Sequence, residues 1–148
     1  MLFTSKEEYG LRAVIYLATR DSSRPVQTRE IAASEGIPEQ FLEQVLAALR
    51  RDGIVRSIRG AGGGYELARS PGSIKAGDVL RALSGKIASV PCLDDAQNVC
   101  DRTERCVVIN LWQRVQQAVS DVVDGTTIQD LVDEKNAREQ VSFLAMNI

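Results

Sequence analysis

Apolar residues recur along the chain at two different spacings, and the change between them divides it. Across residues 7–20, Leu11, Val14, Ile15 and Ala18 fall at i, i+3, i+4 and i+7, the stripe of an amphipathic helix. Asp21-Ser22-Ser23-Arg24-Pro25 is turn material and ends it. Thr28 is expected to cap a short second helix, Arg29 to Glu35, which Gly36 closes. Pro38 suits the first turn of a third helix, where its missing N–H would find no partner, and that helix runs to about Asp52. Phe41, Leu42, Val45, Leu46 and Leu49 make its buried face. Glu39, Gln40, Glu43, Gln44 and Ala47 are left on the other side.

After Gly53 the period drops to two. Ile54-Val55-Arg56-Ser57-Ile58 and Tyr65-Glu66-Leu67 read as paired strands around Arg59-Gly60-Ala61-Gly62-Gly63-Gly64. A short helix, a tight turn, a longer helix and then a hairpin give a winged helix-turn-helix. A fourth helix starts near Ile74-Lys75, continues through Asp78 to Leu83 and closes at Gly85. Residues 86–106 show no periodicity. From Val107 to Val123 the apolar positions Val108, Leu111, Trp112, Val115, Val119 and Val122 return to helical spacing, a stripe long enough to need another surface. Gly125 ends it, Thr127 with Asp130 resembles a capping box, and a short last helix spans Ile128–Lys135. The expected fold is mainly α with a small β-hairpin wing, plus a long dimerisation helix. Its parts are a DNA-binding region at 1–85, a cysteine loop at 86–106, dimerisation and final helices at 107–135, and a tail at 136–148.

Composition adds two constraints. A hydrophobic share of 44% with 26% charged residues fits a globular domain, and 148 residues suffice for one. No apolar run is long enough to cross a bilayer, and the start Met1-Leu2-Phe3-Thr4-Ser5-Lys6 lacks a secretory pattern, so a cytoplasmic, non-membrane protein is expected. The net charge of −2 hides an uneven distribution: residues 50–69 hold five arginines against Asp52 and Glu66. Histidine is absent, which removes Ser-His and Cys-His nucleophilic machinery and every histidine metal ligand. No base–nucleophile pair is identifiable, so an enzyme is not expected.

The glycine-rich turn is not a nucleotide loop. Tyr65 stands where a dinucleotide fingerprint wants glycine, no Lys-Ser/Thr follows, and the loop leads into a strand rather than a helix N-terminus. As a wing it brings backbone close to phosphates at Gly60, Gly62 and Gly63, with Arg59 at its shoulder entering the minor groove. The outward face of the third helix is polar and lysine-free, which suits base edges. With Thr28 and Arg29 at the start of the second helix, Glu39, Gln40, Glu43 and Gln44 complete the expected DNA surface.

Cys92, Cys100 and Cys106 lie within fifteen residues at C-x7-C-x5-C spacing. A structural zinc site wants closer pairs and a fourth cysteine or histidine, and a CxxC redox motif is absent. Ligation of an iron–sulfur cluster (2Fe–2S or 4Fe–4S), with a non-cysteine fourth ligand, fits best. Three free thiols in a loop, a switch in which these cysteines form disulfides without iron, and a cluster carrier or electron-transfer protein are the readings to separate from it.

Taken together, residues 1–135 resemble the IscR/NsrR family of bacterial regulators (the Rrf-two family). The resemblance rests on Leu2-Phe3-Thr4-Ser5-Lys6-x-x-Tyr9, Phe41-Leu42-Glu43-Gln44, Arg59-Gly60-Ala61-Gly62-Gly63-Gly64-Tyr65, and the three cysteines followed by Leu111-Trp112. It implies a homodimer built on the long helix, and palindromic double-stranded DNA read by Gln40, Glu43, Gln44 and Arg59. It implies, too, a cluster held near the partner's first helix. IscR-like members place a histidine three residues after the last cysteine, where this chain has Ile109, and the first cysteine gap is longer here. NsrR-like members use a carboxylate of the partner's first helix, and Glu8 occupies the matching position, with Glu7 its neighbour. One sub-branch of the family holds no cluster and works through a protein partner.

Overall fold

The computed structural model describes residues 3–20, 23–94, 102 and 104–147. Helix α1 spans Ser5–Thr19, two residues earlier than the apolar stripe suggests, because Thr4 starts it: the Thr4 N–H and hydroxyl both donate to the Glu7 carboxylate, at 2.6 and 3.1 Å. Glu7 is thereby buried with its carboxylate hydrogen-bonded. Helices α2 (Thr28–Glu35) and α3 (Glu39–Arg51) follow, then strands β1 (Val55–Ile58) and β2 (Gly64–Leu67). Pro38 stands one position before the first helical residue of α3, and its carbonyl accepts from Leu42 N–H at 2.9 Å.

The strands pair antiparallel, Val55 opposite Leu67 and Ile58 opposite Gly64. Val26 adds a third, single-residue rung: its N–H and carbonyl bond Tyr65 at 2.8 and 2.7 Å, which ties the hairpin to the segment before α2. The core lies under the three-helix unit. Ile31, Leu42, Leu46, Leu49, Ile54, Ile74 and Ile128 are its fully buried large side chains, joined by Val14, Val45, Val55 and Val79.

Helix α4 (Ala76–Ser84) lies against α1 and α3. A single-turn helix, α5 (Pro91–Asp94), interrupts the stretch expected to be irregular, and Cys100 lies outside the described residues. Helix α6 (Val107–Asp124) has the predicted length. Its apolar stripe divides: Val119 and Val123 pack on Leu80, Ile87 and Ala88, while Val107, Val108, Leu111, Trp112 and Val122 stand exposed.

The last helix corrects the sequence expectation. It was expected to end near Lys135, but α7 spans Ile128–Met146. Its second half has no buried stripe to read, since Val141, Phe143, Leu144 and Met146 are exposed. Good helix formers and the i,i+4 pairs Glu134–Arg138 (2.6 Å) and Lys135–Glu139 (3.7 Å) sustain it instead. Among the described residues no helix is long and apolar enough to cross a membrane.

A polar cluster around Glu30 helps hold α2 onto the end of α1. Glu30 accepts from the Arg20 guanidinium and, at 3.0 Å, from the Tyr16 hydroxyl. The Arg20 hydrogen bond and then that of Tyr16 hold its carboxyl below the ordinary value. A depressed folded-state pKa means stabilisation that is present above the unfolded value of about 4.3 and is lost as pH falls through the folded value. Glu30→Gln is therefore expected to lower stability at pH 7, with the difference from the parent shrinking as pH falls below about 4.3. Urea titrations across that range check it, and a constant difference at every pH would refute the assignment.

Candidate nucleic-acid interface and cysteine loop

The turn between α2 and α3 is built on one left-handed residue. Gly36 sits at φ +64°, and the following Ile37 N–H returns to the Ala32 carbonyl at 3.0 Å. Arg12 of α1 reaches this corner, bonding the Glu35 carbonyl and lying 3.3 Å from its carboxylate. The turn fixes how α3 leaves α2. The four predicted contact residues Glu39, Gln40, Glu43 and Gln44 all stand exposed, and none of their side chains makes a hydrogen bond or ion pair among the described residues. Of the two predicted at the start of α2, Arg29 is exposed and Thr28 half-buried. α1 backs α3 directly, with Tyr9 meeting Phe41 edge-on at 5.6 Å between ring centres.

The wing glycines differ in kind. Gly60 (φ +109°) and Gly62 have open space where a side chain would go, although the backbone at Gly60 disfavours one. At Gly63 a Cβ would lie 2.2 Å from the Ile58 carbonyl oxygen, so that glycine is required by the hairpin itself. Gly63 N–H closes the turn onto the Gly60 carbonyl at 3.0 Å. Arg59 projects from the shoulder, exposed. The arginine excess is smaller than a count suggests, because Arg56 is bonded to Glu66 across the strands at 2.6 Å. Arg50, Arg51 and Arg59 meet no carboxylate among the described residues, so the unmatched positive charge sits at the end of α3 and on the wing.

Cys92 is exposed on α5 and Cys106 is half-buried at the N-cap of α6; both are free thiols. The turn carrying Cys92 is anchored by a residue that sequence reasoning missed. Asp94 accepts from Val90 N–H at 2.7 Å and from the Gln116 amide of α6 at 3.0 Å. Lys86 donates to its carbonyl at 2.6 Å. Hydrogen bonds from the Ser89 hydroxyl and then Gln116 hold the Asp94 carboxyl below its usual range. The proline-led turn at 91 with an acid three residues on was the available signal.

Glu8 is exposed, touched by Arg12 at 3.7 Å. Glu7, the neighbouring alternative, is buried and committed to Thr4. Ile109 is half-buried in α6. Among the described residues, no three His, Cys, Asp or Glu groups come together within one chain to hold a metal ion. The donors are nonetheless chemically suited to iron–sulfur ligation: two accessible, unbridged thiols on adjoining helices and an accessible carboxylate on α1.

Residues 3–134 match the family described as Rrf2, iron-dependent transcriptional regulator. The chain is 37% identical over 140 residues to the HTH-type transcriptional regulator CymR of Bacillus subtilis, covering 95% of this chain and 96% of that one. The solved structure of that protein, titled the global cysteine regulator, is similar at TM-score 0.74 and 36% identity, covering 90% of this chain and 98% of that one. The structure of T. potens IscR is similar at TM-score 0.73 and 32% identity, over 91% and 88% of the two chains.

The two wing glycines make a paired test. Gly62→Ala is expected to leave thermal stability within about 0.5 kcal/mol of the parent, as for a surface change in open space. Gly63→Ala must displace the Ile58 carbonyl and is expected to cost about 1–3 kcal/mol. Equal melting behaviour of the two variants would contradict this account of the hairpin.

Proposed function

The chain belongs to the Rrf2 family of transcriptional regulators, and from that premise we propose that it is a cytoplasmic homodimer binding palindromic operator DNA under the control of an iron–sulfur cluster. The family is one of DNA-binding regulators, not of enzymes. The signal would be redox, iron or nitric oxide status. The DNA surface in this reading is Thr28, Arg29, Glu39, Gln40, Glu43 and Gln44 of the helix-turn-helix with Arg59, Gly60, Gly62 and Gly63 of the wing. What supports it is the exposed, unpartnered state of the α3 residues beside the unmatched charge of Arg59.

Cys92, Cys100 and Cys106 of one chain would hold the cluster, with Glu8 of the partner subunit as the fourth ligand. When bound, such a cluster supplies a redox-sensitive link between the two chains. Glu8 suits the role because it is exposed and loosely held, whereas Glu7 is spent on the helix cap. An oxygen ligand binds iron less firmly than thiolate, which suits a link meant to be altered. The single observation carrying the control step is the contact next door: Tyr9, adjacent to Glu8, packs edge-on against Phe41 of α3. Restraining Glu8 restrains the helix on which the base-reading helix rests. The competing reading is a thiol switch, favoured by the two free thiols and by likeness to a protein titled a cysteine regulator.

Oxygen-free purification with iron, sulfide and absorption measurements separates the two readings. The cluster reading expects a coloured protein that loses its iron in Cys92→Ala, Cys100→Ala and Cys106→Ala. Glu8→Ala should keep fold and dimer but shed iron faster to a chelator. Colourless, iron-free protein after reconstitution, with a disulfide found by mass spectrometry on oxidation, would put the thiol switch in its place.

The DNA surface has its own test. Arg59→Ala should weaken operator binding by about 1–3 kcal/mol at fixed salt. Glu43→Ala should relax base preference instead, because a carboxylate accepts from cytosine and repels phosphate. Parent-like titrations for both variants would show that the DNA-binding face lies elsewhere.

A further inference from the structure

Helix α6 rejoins the DNA-reading unit at its C-terminal end, through contacts of different directionality. The backbone forms a two-bond ladder around the Lys75–Thr127 bridge: Ala76 N–H to the Thr126 carbonyl and Ile128 N–H to the Ile74 carbonyl, both 2.8 Å. A ladder this short pins a position. Val119 and Val123 lie against Leu80, Ile87 and Ala88, an apolar contact that has no preferred direction.

The third contact is directional. Arg81 of α4 grips Asp124 with both terminal nitrogens, Nη2 to Oδ1 at 2.6 Å and Nη1 to Oδ2 at 3.2 Å. A two-pronged guanidinium–carboxylate pair fixes orientation as well as separation. Gly77 makes the space: a Cβ there would lie 2.1 Å from Asp124 Oδ1 and 2.9 Å from Arg81 Nη2. Asp78 Oδ1 accepts from the same Nη2 at 3.5 Å. The Arg81 and Asp124 side chains remain 41% and 34% exposed, so the pair contributes little to stability. Its geometry is what is specific. α4 in turn packs on α1 and α3.

We infer that the Arg81–Asp124 pair, seated over Gly77, sets the angle between the dimer helix and the DNA-reading unit and thereby determines the half-site spacing the dimer accepts. The inference rests on the reading that two copies pair through α6. Helix α6 has 18 residues and is therefore about 27 Å long, so a swing of ~10° at its base moves the far end by roughly 5 Å. Recognition helices must meet half-sites about 34 Å apart, and 5 Å is about one and a half base-pair steps. A loosened angle costs spacing discrimination without touching any base contact.

The test is selection of binding sequences by the full-length protein from a random-sequence duplex DNA library. It compares the parent with Arg81→Ala and, as a near-isosteric second variant, Asp124→Asn. Sedimentation and circular dichroism of each protein accompany the selection. The parent pool should show two half-sites at one dominant spacing. Both variants should stay folded and dimeric and select the same half-site sequence, but spread it over three or more spacings. If Arg81→Ala does not fold, Asp124→Asn alone decides. A folded, dimeric variant that keeps the parent's single spacing overturns the inference and leaves the dimer reading standing. A monomeric parent, or a parent pool of single half-sites, overturns both.

Discussion

Gly10 brings three helices to one point. A Cβ there would lie 2.2 Å from Leu83 Cδ1 of α4, so Leu83 occupies the space a side chain on α1 would need, while Val45 Cγ1 of α3 stands at ordinary contact distance, 3.5 Å. Around that approach α1 buries Ala13, Val14, Tyr16 and Leu17, and it touches α2, α3, α4, α7 and β2. Helices α2, α3 and α4 and strand β2 are thus positioned directly against α1, and β1 through β2 and α3. Anything that restrains or releases α1 acts on α3 with no intervening loop to absorb the change.

This arrangement gives the start of α1 a double use. Thr4 and Glu7 close the helix end internally, which leaves Glu8 outside, on the next position round the helix. Glu8 is left exposed because its neighbour has already satisfied the helix terminus. Arg12, one turn on, contacts Glu8 at 3.7 Å and Glu35 at 3.3 Å, so the exposed carboxylate is electrostatically coupled to the corner between α2 and α3. Both charges of the Arg12–Glu8 contact are substantially exposed, so the contact is weak.

The parts legible from the chain were those whose sidedness is written in the spacing of apolar residues. The stripe of Leu42, Val45, Leu46 and Leu49, the change to alternation after Gly53 and the run from Val108 to Val122 each correspond to an element in the structure. The second half of α7 was illegible because its apolar residues are exposed and follow no stripe. What holds it is charge pairing along the helix, a weaker signal than burial. The site was legible in residue types more than in connections. Exposed Gln40, Glu43 and Gln44 could be read from the polar face of α3. The Val26–Tyr65 rung, the Asp94–Gln116 anchor and the Arg81–Asp124 pair could not, since each joins residues 22 to 43 positions apart that carry no local periodicity.

The cysteine loop and the exposed face of α6 belong to one physical problem. Trp112 and Val115 line the same recess as Pro91 and Ala88, so the turn carrying Cys92 rests on the helix whose apolar residues stand uncovered. Apolar area left in water costs on the order of 25 cal/mol per Å², and a contiguous stripe containing tryptophan is a surface that pairing with another copy would bury. A second chain laid on α6 would therefore also close over the elements that bear Cys92 and Cys106. Chemistry at those thiols and contact between subunits would then share one helix. Through its last turn, that helix is fastened to α4, on which α3 packs.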